Sequence, residues 1–96
     1  MVMIKGYLEI LEMANSNAPK SFNDFTKIYI KGKRLSSATV SKRLDELIAV
    51  EAIKETITRS KVGRRVIAYT TTEKGKRIIA IAKELQKLLT VSMSRY

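Results

Sequence analysis

Residues 35–50 read Leu35-Ser36-Ser37-Ala38-Thr39-Val40-Ser41-Lys42-Arg43-Leu44-Asp45-Glu46-Leu47-Ile48-Ala49-Val50. Val40, Leu44, Leu47 and Ile48 recur at i, i+4, i+7 and i+8, the spacing of one buried helical stripe. At about 100° per residue, the opposite side shows Ala38, Thr39 and Lys42, with Ser41 and Arg43 at its flanks. Ser36 or Ser37 caps the start of this helix. Its first turns therefore present small, hydrogen-bonding and cationic groups together. Those residue types fit a major groove and the phosphates that border it. Glu46 lies one turn deeper, where a carboxylate can accept from a cytosine amine, although solvent is its plainer environment.

Outward from this helix the period of the sequence changes. Upstream, Ile4, Leu8 and Leu11, with Tyr7 beside them, predict a helix over about 2–15. It is stopped by Asn15-Ser16-Asn17-Ala18-Pro19-Lys20, which holds the only proline. Ser21 with Asp24 has capping-box spacing and predicts a second helix over about 22–30 that buries some of Phe22, Phe25, Ile28 and Tyr29. Lys31-Gly32-Lys33-Arg34 follows as a turn. Downstream, Ile53, Glu55 and Ile57 alternate with Lys54, Thr56 and Thr58, and Val66 to Thr70 is rich in β-branched and aromatic residues. Together they predict a hairpin around Arg59-Ser60-Lys61-Val62-Gly63-Arg64-Arg65. A capping box from Thr70 to Glu73, with Thr72 as a second candidate, opens a last helix over 73–93. The expectation is an α+β, mainly α, fold with the order α1-α2-α3-β-β-α4, in a single domain over 1–96.

Composition narrows the function. With 96 residues, a full core leaves little room for a deep cleft. There is no Cys and no His, so disulfides, Cys/His metal sites and histidine catalysis are excluded, and no carboxylate cluster replaces them. No cofactor, metal, membrane span or enzymatic activity is expected, and the reading is cytoplasmic. The net charge of +10 favours a polyanionic partner. Its distribution is more telling than its size. Residues 1–30 are neutral overall, residues 31–53 carry +2, residues 54–77 carry +6 and residues 78–96 carry +2. A generic solubilising charge has no reason to concentrate in one 24-residue segment.

Three stretches carry a resemblance. Leu35 to Leu47 is similar to the recognition helix of winged helix-turn-helix DNA-binding proteins, the basic hairpin resembles their wing, and Tyr69-Thr70-Thr71-Thr72-Glu73-Lys74-Gly75 resembles the start of their last helix. The likeness is to small archaeal and bacterial regulators of the MarR, PadR and HxlR kind. Thr71 stands where that pattern has leucine, and Ala52 where a glycine commonly follows the third helix.

The resemblance implies a winged helix-turn-helix whose third helix enters the major groove of double-stranded DNA, with Ser37, Ala38, Thr39, Lys42 and Arg43 as its contact set. Arg59, Lys61, Arg64 and Arg65 of the wing, with Lys33 and Arg34 before the helix, would hold the backbone or minor groove. In the last helix Ile78, Ala82, Leu85 and Leu89 form an apolar stripe that Ile79, Ile81 and Leu88 broaden beyond the roughly 100° one core requires. Ile78, Ile81, Leu85, Leu88 and Leu89 are accordingly the expected homodimer interface. The leading expectation is a sequence-specific, homodimeric transcriptional regulator. A nucleoid-associated protein of low sequence preference and a protein-interaction module of a larger assembly are the alternatives. The ratio of specific to non-specific affinity separates the first two, and the basic wing argues against the third.

Overall fold

The computed structural model describes residues 6–93. Ile4 lies outside them, and within them the helix expected over about 2–15 starts only at Tyr7, after Gly6 in the left-handed conformation at φ 102°. Helix α1 covers Tyr7–Ala14 and buries Ile10, Leu11 and Ala14. Strand β1 (Lys20–Ser21) and the one-turn helix α2 (Phe22–Phe25) follow, then strands β2 (Tyr29–Ile30) and β3 (Lys33–Arg34). Helix α3 spans Ser37–Ala49, β4 and β5 are Ile53–Arg59 and Arg65–Thr71, and α4 is Glu73–Met93. The sheet order is β1-β5-β4, all antiparallel, with β2 and β3 paired separately.

The α+β, mainly helical architecture is the expected one, with three added strands and several shifted boundaries. The second helix ends at Phe25, not near residue 30. Its capping box forms as expected, with the Ser21 N–H donating to Asp24 Oδ2 at 2.9 Å. Beyond it the run Ile28-Tyr29-Ile30 is β-branched and aromatic, which suits an extended chain better than a helix. Tyr29 is accordingly 64% exposed rather than buried. The turn also shrinks: Lys31 and Gly32 alone form it, at φ 53° and 81°, and Lys33 and Arg34 belong to β3.

One hydrophobic cluster joins all the layers. Ile10, Leu11 and Ala14 of α1 meet Val40, Leu44 and Leu47 of α3, with Phe25, Ile28, Leu35, Ala52, Ile53 and Ile79 around them. The α3 stripe is the one its spacing predicts, with Ile48 half-buried at its edge. Tyr69 of β5 meets Phe25 edge-on, ring centroids 5.9 Å apart, a favoured aromatic geometry. In β4 only Ile53 is buried. Ile57 is 58% exposed and its cross-strand partner Ile67 is 56% exposed. The distal half of the hairpin therefore stands clear of the core.

The junction between α3, β5 and α4 is tight. Helix α3 ends in a Schellman arrangement: the Ala52 N–H donates to Leu47 O and the Glu51 N–H to Ile48 O, both at 2.9 Å. The left-handed residue this requires is Glu51, at φ 64°. Thus the position that wants glycine is Glu51, one before Ala52. Thr72, not Thr70, caps α4. Its hydroxyl donates to Glu51 O at 2.6 Å and accepts the Gly75 N–H at 3.1 Å. Thr71, where the resembling pattern has leucine, is buried and donates to Leu11 O at 2.8 Å. Leu11 O already accepts the Asn15 N–H at 3.0 Å, and its second lone pair gives the buried Thr71 hydroxyl a partner.

Candidate nucleic-acid interface

Helix α3 begins at Ser36. Its Oγ accepts the Thr39 N–H at 3.1 Å and donates to Thr39 Oγ1 at 2.9 Å. This cap sets the helix start and leaves Ser37, Ala38, Ser41, Lys42 and Asp45 exposed along one side. Thr39 is half-buried. The exposed side is the one opposite Val40, Leu44 and Leu47, so the core contacts of α3 determine which residues it presents.

Arg43 departs from the expected contact set. Its guanidinium lies 4.9 Å from the Tyr7 ring centroid, and Nη1 is 2.7 Å from Glu46 Oε1. Only 14% of the Arg43 side chain is exposed, against 41% for Glu46. Gly6, which precedes Tyr7, takes φ 102°, a conformation that favours glycine. Arg43 therefore ties α3 to α1. The same cluster perturbs its acids. The Tyr7 hydroxyl hydrogen bond, and then that of Arg43, hold the Glu46 carboxyl below the usual range. The hydrogen bond to Glu46 in turn raises Tyr7. Glu46 is thus engaged by Tyr7 and Arg43 rather than simply solvated. The sequence signal for this is the i, i+3 spacing of Arg43 and Glu46; the part played by Tyr7 is a tertiary fact.

At the tip of the β4–β5 hairpin the backbone closes on itself. The Ser60 N–H donates to Arg64 O at 2.8 Å and the Gly63 N–H to Ser60 O at 2.9 Å. Gly63 takes φ 80°. Arg59 Nη1 donates to Gly63 O at 3.0 Å, so this arginine braces the loop from within. Lys61, Arg64 and Arg65 are exposed, and among the described residues the ion pairs, Arg43–Glu46 and Lys76–Glu73, include none of them. Between Glu55 and Glu73 the sequence has no acid to neutralise them. Arg34 is also exposed, with its Nε donating to Thr26 O, and Lys33 is exposed beside it.

With this geometry in view, the comparisons with solved structures are informative. A PadR family transcription regulator from hypervirulent Clostridium difficile R20291 superposes with a TM-score of 0.74 at 19% identity, over 93% of this chain and 96% of that one. TA0346 from Thermoplasma acidophilum, assigned to transcriptional regulation, gives 0.72 at 15%, over 93% and 86%. The reduced form of the transcriptional regulator YodB from B. subtilis gives 0.62 at 23%, over 84% and 74%. The chain has the winged-helix fold. No protein-family model and no curated protein matches it in sequence. At these identities the likeness speaks to fold, and what the winged helix does rests on its own residues.

In winged-helix terms, α3 holds the position of the recognition helix and β4–β5 that of the wing. Ser37, Ala38 and Lys42 lie exposed on the recognition helix and Thr39 partly so, while Arg43 turns inward. In the wing, Lys61, Arg64 and Arg65 point to solvent and Arg59 is a brace. Of the expected dimer residues, Ile81 is 66%, Leu88 57% and Leu89 50% exposed, and Leu85 is half-buried. Ile78 packs partly on the core, and the buried stripe of α4 runs through Ile79 and Ala82. Among the described residues no three metal-ligating side chains gather, and no helix is long and apolar enough to cross a membrane.

Proposed function

We propose that this protein is a sequence-specific double-stranded DNA-binding regulator that acts as a homodimer and has no catalytic role. One observation carries the reading: the wing exposes Lys61, Arg64 and Arg65 with no acid between Glu55 and Glu73 to oppose them, Lys42 stands exposed on α3, and the internal bonds of the fold hold those two elements in place. The Ser36 cap and the Tyr7–Arg43–Glu46 cluster orient α3. The Arg59–Gly63 bond and the Ser60–Arg64 bonds shape the wing. Like charges crowded this way repel in the free protein, and a polyanion relieves that repulsion. Ser37, Ala38, Thr39 and Lys42 supply base-edge contacts, and Lys61, Arg64 and Arg65 supply phosphate contacts, from a protein that lies with the nucleoid in the cytoplasm.

Self-association rests on α4. Ile81, Leu88 and Leu89 leave a run of large apolar side chains in water on a helix about 31 Å long. A second copy of the same helix would cover them, and a two-fold pair would set two recognition helices on one side of a duplex. Selection of bound duplexes from a random pool tests the whole reading. Enrichment of an inverted repeat is expected. Enrichment of nothing, with binding retained, would transfer the protein to the nucleoid-associated class.

A further inference from the structure

The β2–β3 hairpin lies where the sequence predicts a plain turn between α2 and α3. It is a two-residue connection with positive φ at both Lys31 (53°) and Gly32 (81°), the signature of a type I′ turn. That turn favours asparagine, aspartate or glycine at its first central position, because other side chains are strained there. This chain places lysine there instead. Lys33 follows on the other side of the turn and both are exposed. The hairpin is also anchored rather than loose. Arg34 Nε donates to Thr26 O, and the Leu35 N–H donates to Ile28 O at 2.9 Å. Leu35 is buried, and Ser36, the cap of the recognition helix, comes next. The basic tip is thus held a few residues from the exposed start of α3. From Phe25 to Leu44 the sequence has six basic residues and no acidic one.

We infer that the β2–β3 hairpin is a second wing, which uses Lys31 and Lys33 to grip duplex phosphates beside those met by the start of α3. The inference rests on the DNA-binding reading above and deepens it. A turn with a purely structural task would take asparagine before Gly32 and a β-former at 33. Lys31 gives up local stability at its positive φ, and contact with a polyanionic partner would offset that cost. In the dimer the two hairpins would add backbone contacts to those of the two β4–β5 wings, without reading sequence.

The test exploits these opposed signs. The double variant Lys31→Asn, Lys33→Thr suits the turn and strand better than the native residues, so it should melt at or above the wild-type temperature. Its affinity for duplex DNA should nevertheless fall, by the same factor on a selected and on a scrambled duplex. For each pair of phosphate contacts removed, the wild-type advantage should shrink about tenfold between 50 and 200 mM salt, from a slope of roughly 0.9 per contact. Unchanged affinity and salt slope in the folded variant, with the wild type binding normally, would overturn the second wing alone. A wild type that binds neither duplex at 50 mM salt would remove the DNA-binding reading and this inference with it. Weakening confined to the selected duplex would also overturn it, because phosphate contacts are indifferent to sequence.

Discussion

Replacing Gly75 with alanine should destabilise the protein, against the ordinary preference of helices for alanine. Gly75 lies in the first turn of α4, packed on the residue that follows α3. A Cβ built there would stand 2.2 Å from Ala52 O and 2.5 Å from Thr71 Cγ2. Ordinary contact starts at 3.4 Å, so the helix start must move by roughly 1 Å. The obstacle is a backbone carbonyl already accepting the Thr72 N–H at 3.0 Å, so no change of rotamer relieves it. Moving away strains that bond and the two made by the Thr72 hydroxyl, to Glu51 O and from Gly75 N. Alanine gains about 1 kcal/mol in helix propensity. Overpacking costs about 1–3 kcal/mol, and each broken hydrogen bond about 1 kcal/mol. If two of these bonds break, the balance is a destabilisation of about 2–4 kcal/mol. For a domain of this size that lowers the melting temperature by at least about 10 °C. Thermal unfolding followed by circular dichroism, at one fixed protein concentration because dimerisation shifts the midpoint, is the assay. A variant that melts at or above wild type would show that the Gly75–Ala52 contact has slack, and that the junction does not set the angle of α4.

Three further outcomes follow from named contacts. Glu51→Gly should raise stability by about 1 kcal/mol in urea titration, because Glu51 holds a left-handed conformation at φ 64° that glycine takes without steric cost. The Glu46 carboxyl is lowered by Tyr7 and Arg43, so it contributes stability that is present above the unfolded glutamate pKa of about 4.3 and is lost as pH falls through its folded value. Glu46→Gln should flatten that part of the acid limb of the stability–pH curve; an unchanged limb would place the acid sensitivity elsewhere. Leu88→Glu should give a folded monomer, since Leu88 is more than half exposed in the protomer yet would be covered in a helix-paired dimer. Sedimentation reports the mass and circular dichroism the fold, and a wild type that is itself monomeric at tens of micromolar would remove the α4 interface.

Most of the architecture is legible in the sequence where periodicity runs long enough to be read. Val40, Leu44 and Leu47 fill the core as their spacing requires, and β4 and β5 differ from expectation by about one residue at their ends. Elements of two residues have no period, so β1, β2 and β3 are invisible until their partners are known. The expected α2 runs too long because capping-box spacing reports where a helix starts and nothing about where it stops. The candidate interface shows the same division. The charge of the wing can be counted in the sequence, but the separate tasks of Arg59 and Arg65 depend on which one reaches Gly63 O. Lys42 and Arg43 are chemically alike and adjacent in sequence. Tyr7, 36 residues away from Arg43, is what draws Arg43 inward.

The central claim, that the unopposed cations of the wing exist to bind DNA backbone, is tested most directly by the salt dependence of duplex affinity. A dimer that uses Lys61, Arg64 and Arg65 from each copy, with Lys31 and Lys33 of the second wing beside them, would neutralise roughly 6–10 phosphates, and log K should then fall against log salt with a slope of about −5 to −9. Arg64→Ala with Arg65→Ala should make that slope shallower by about 0.9 for every phosphate contact removed, on any duplex sequence. A wild-type slope near zero between 50 and 200 mM salt would contradict the account and remove DNA as the principal partner.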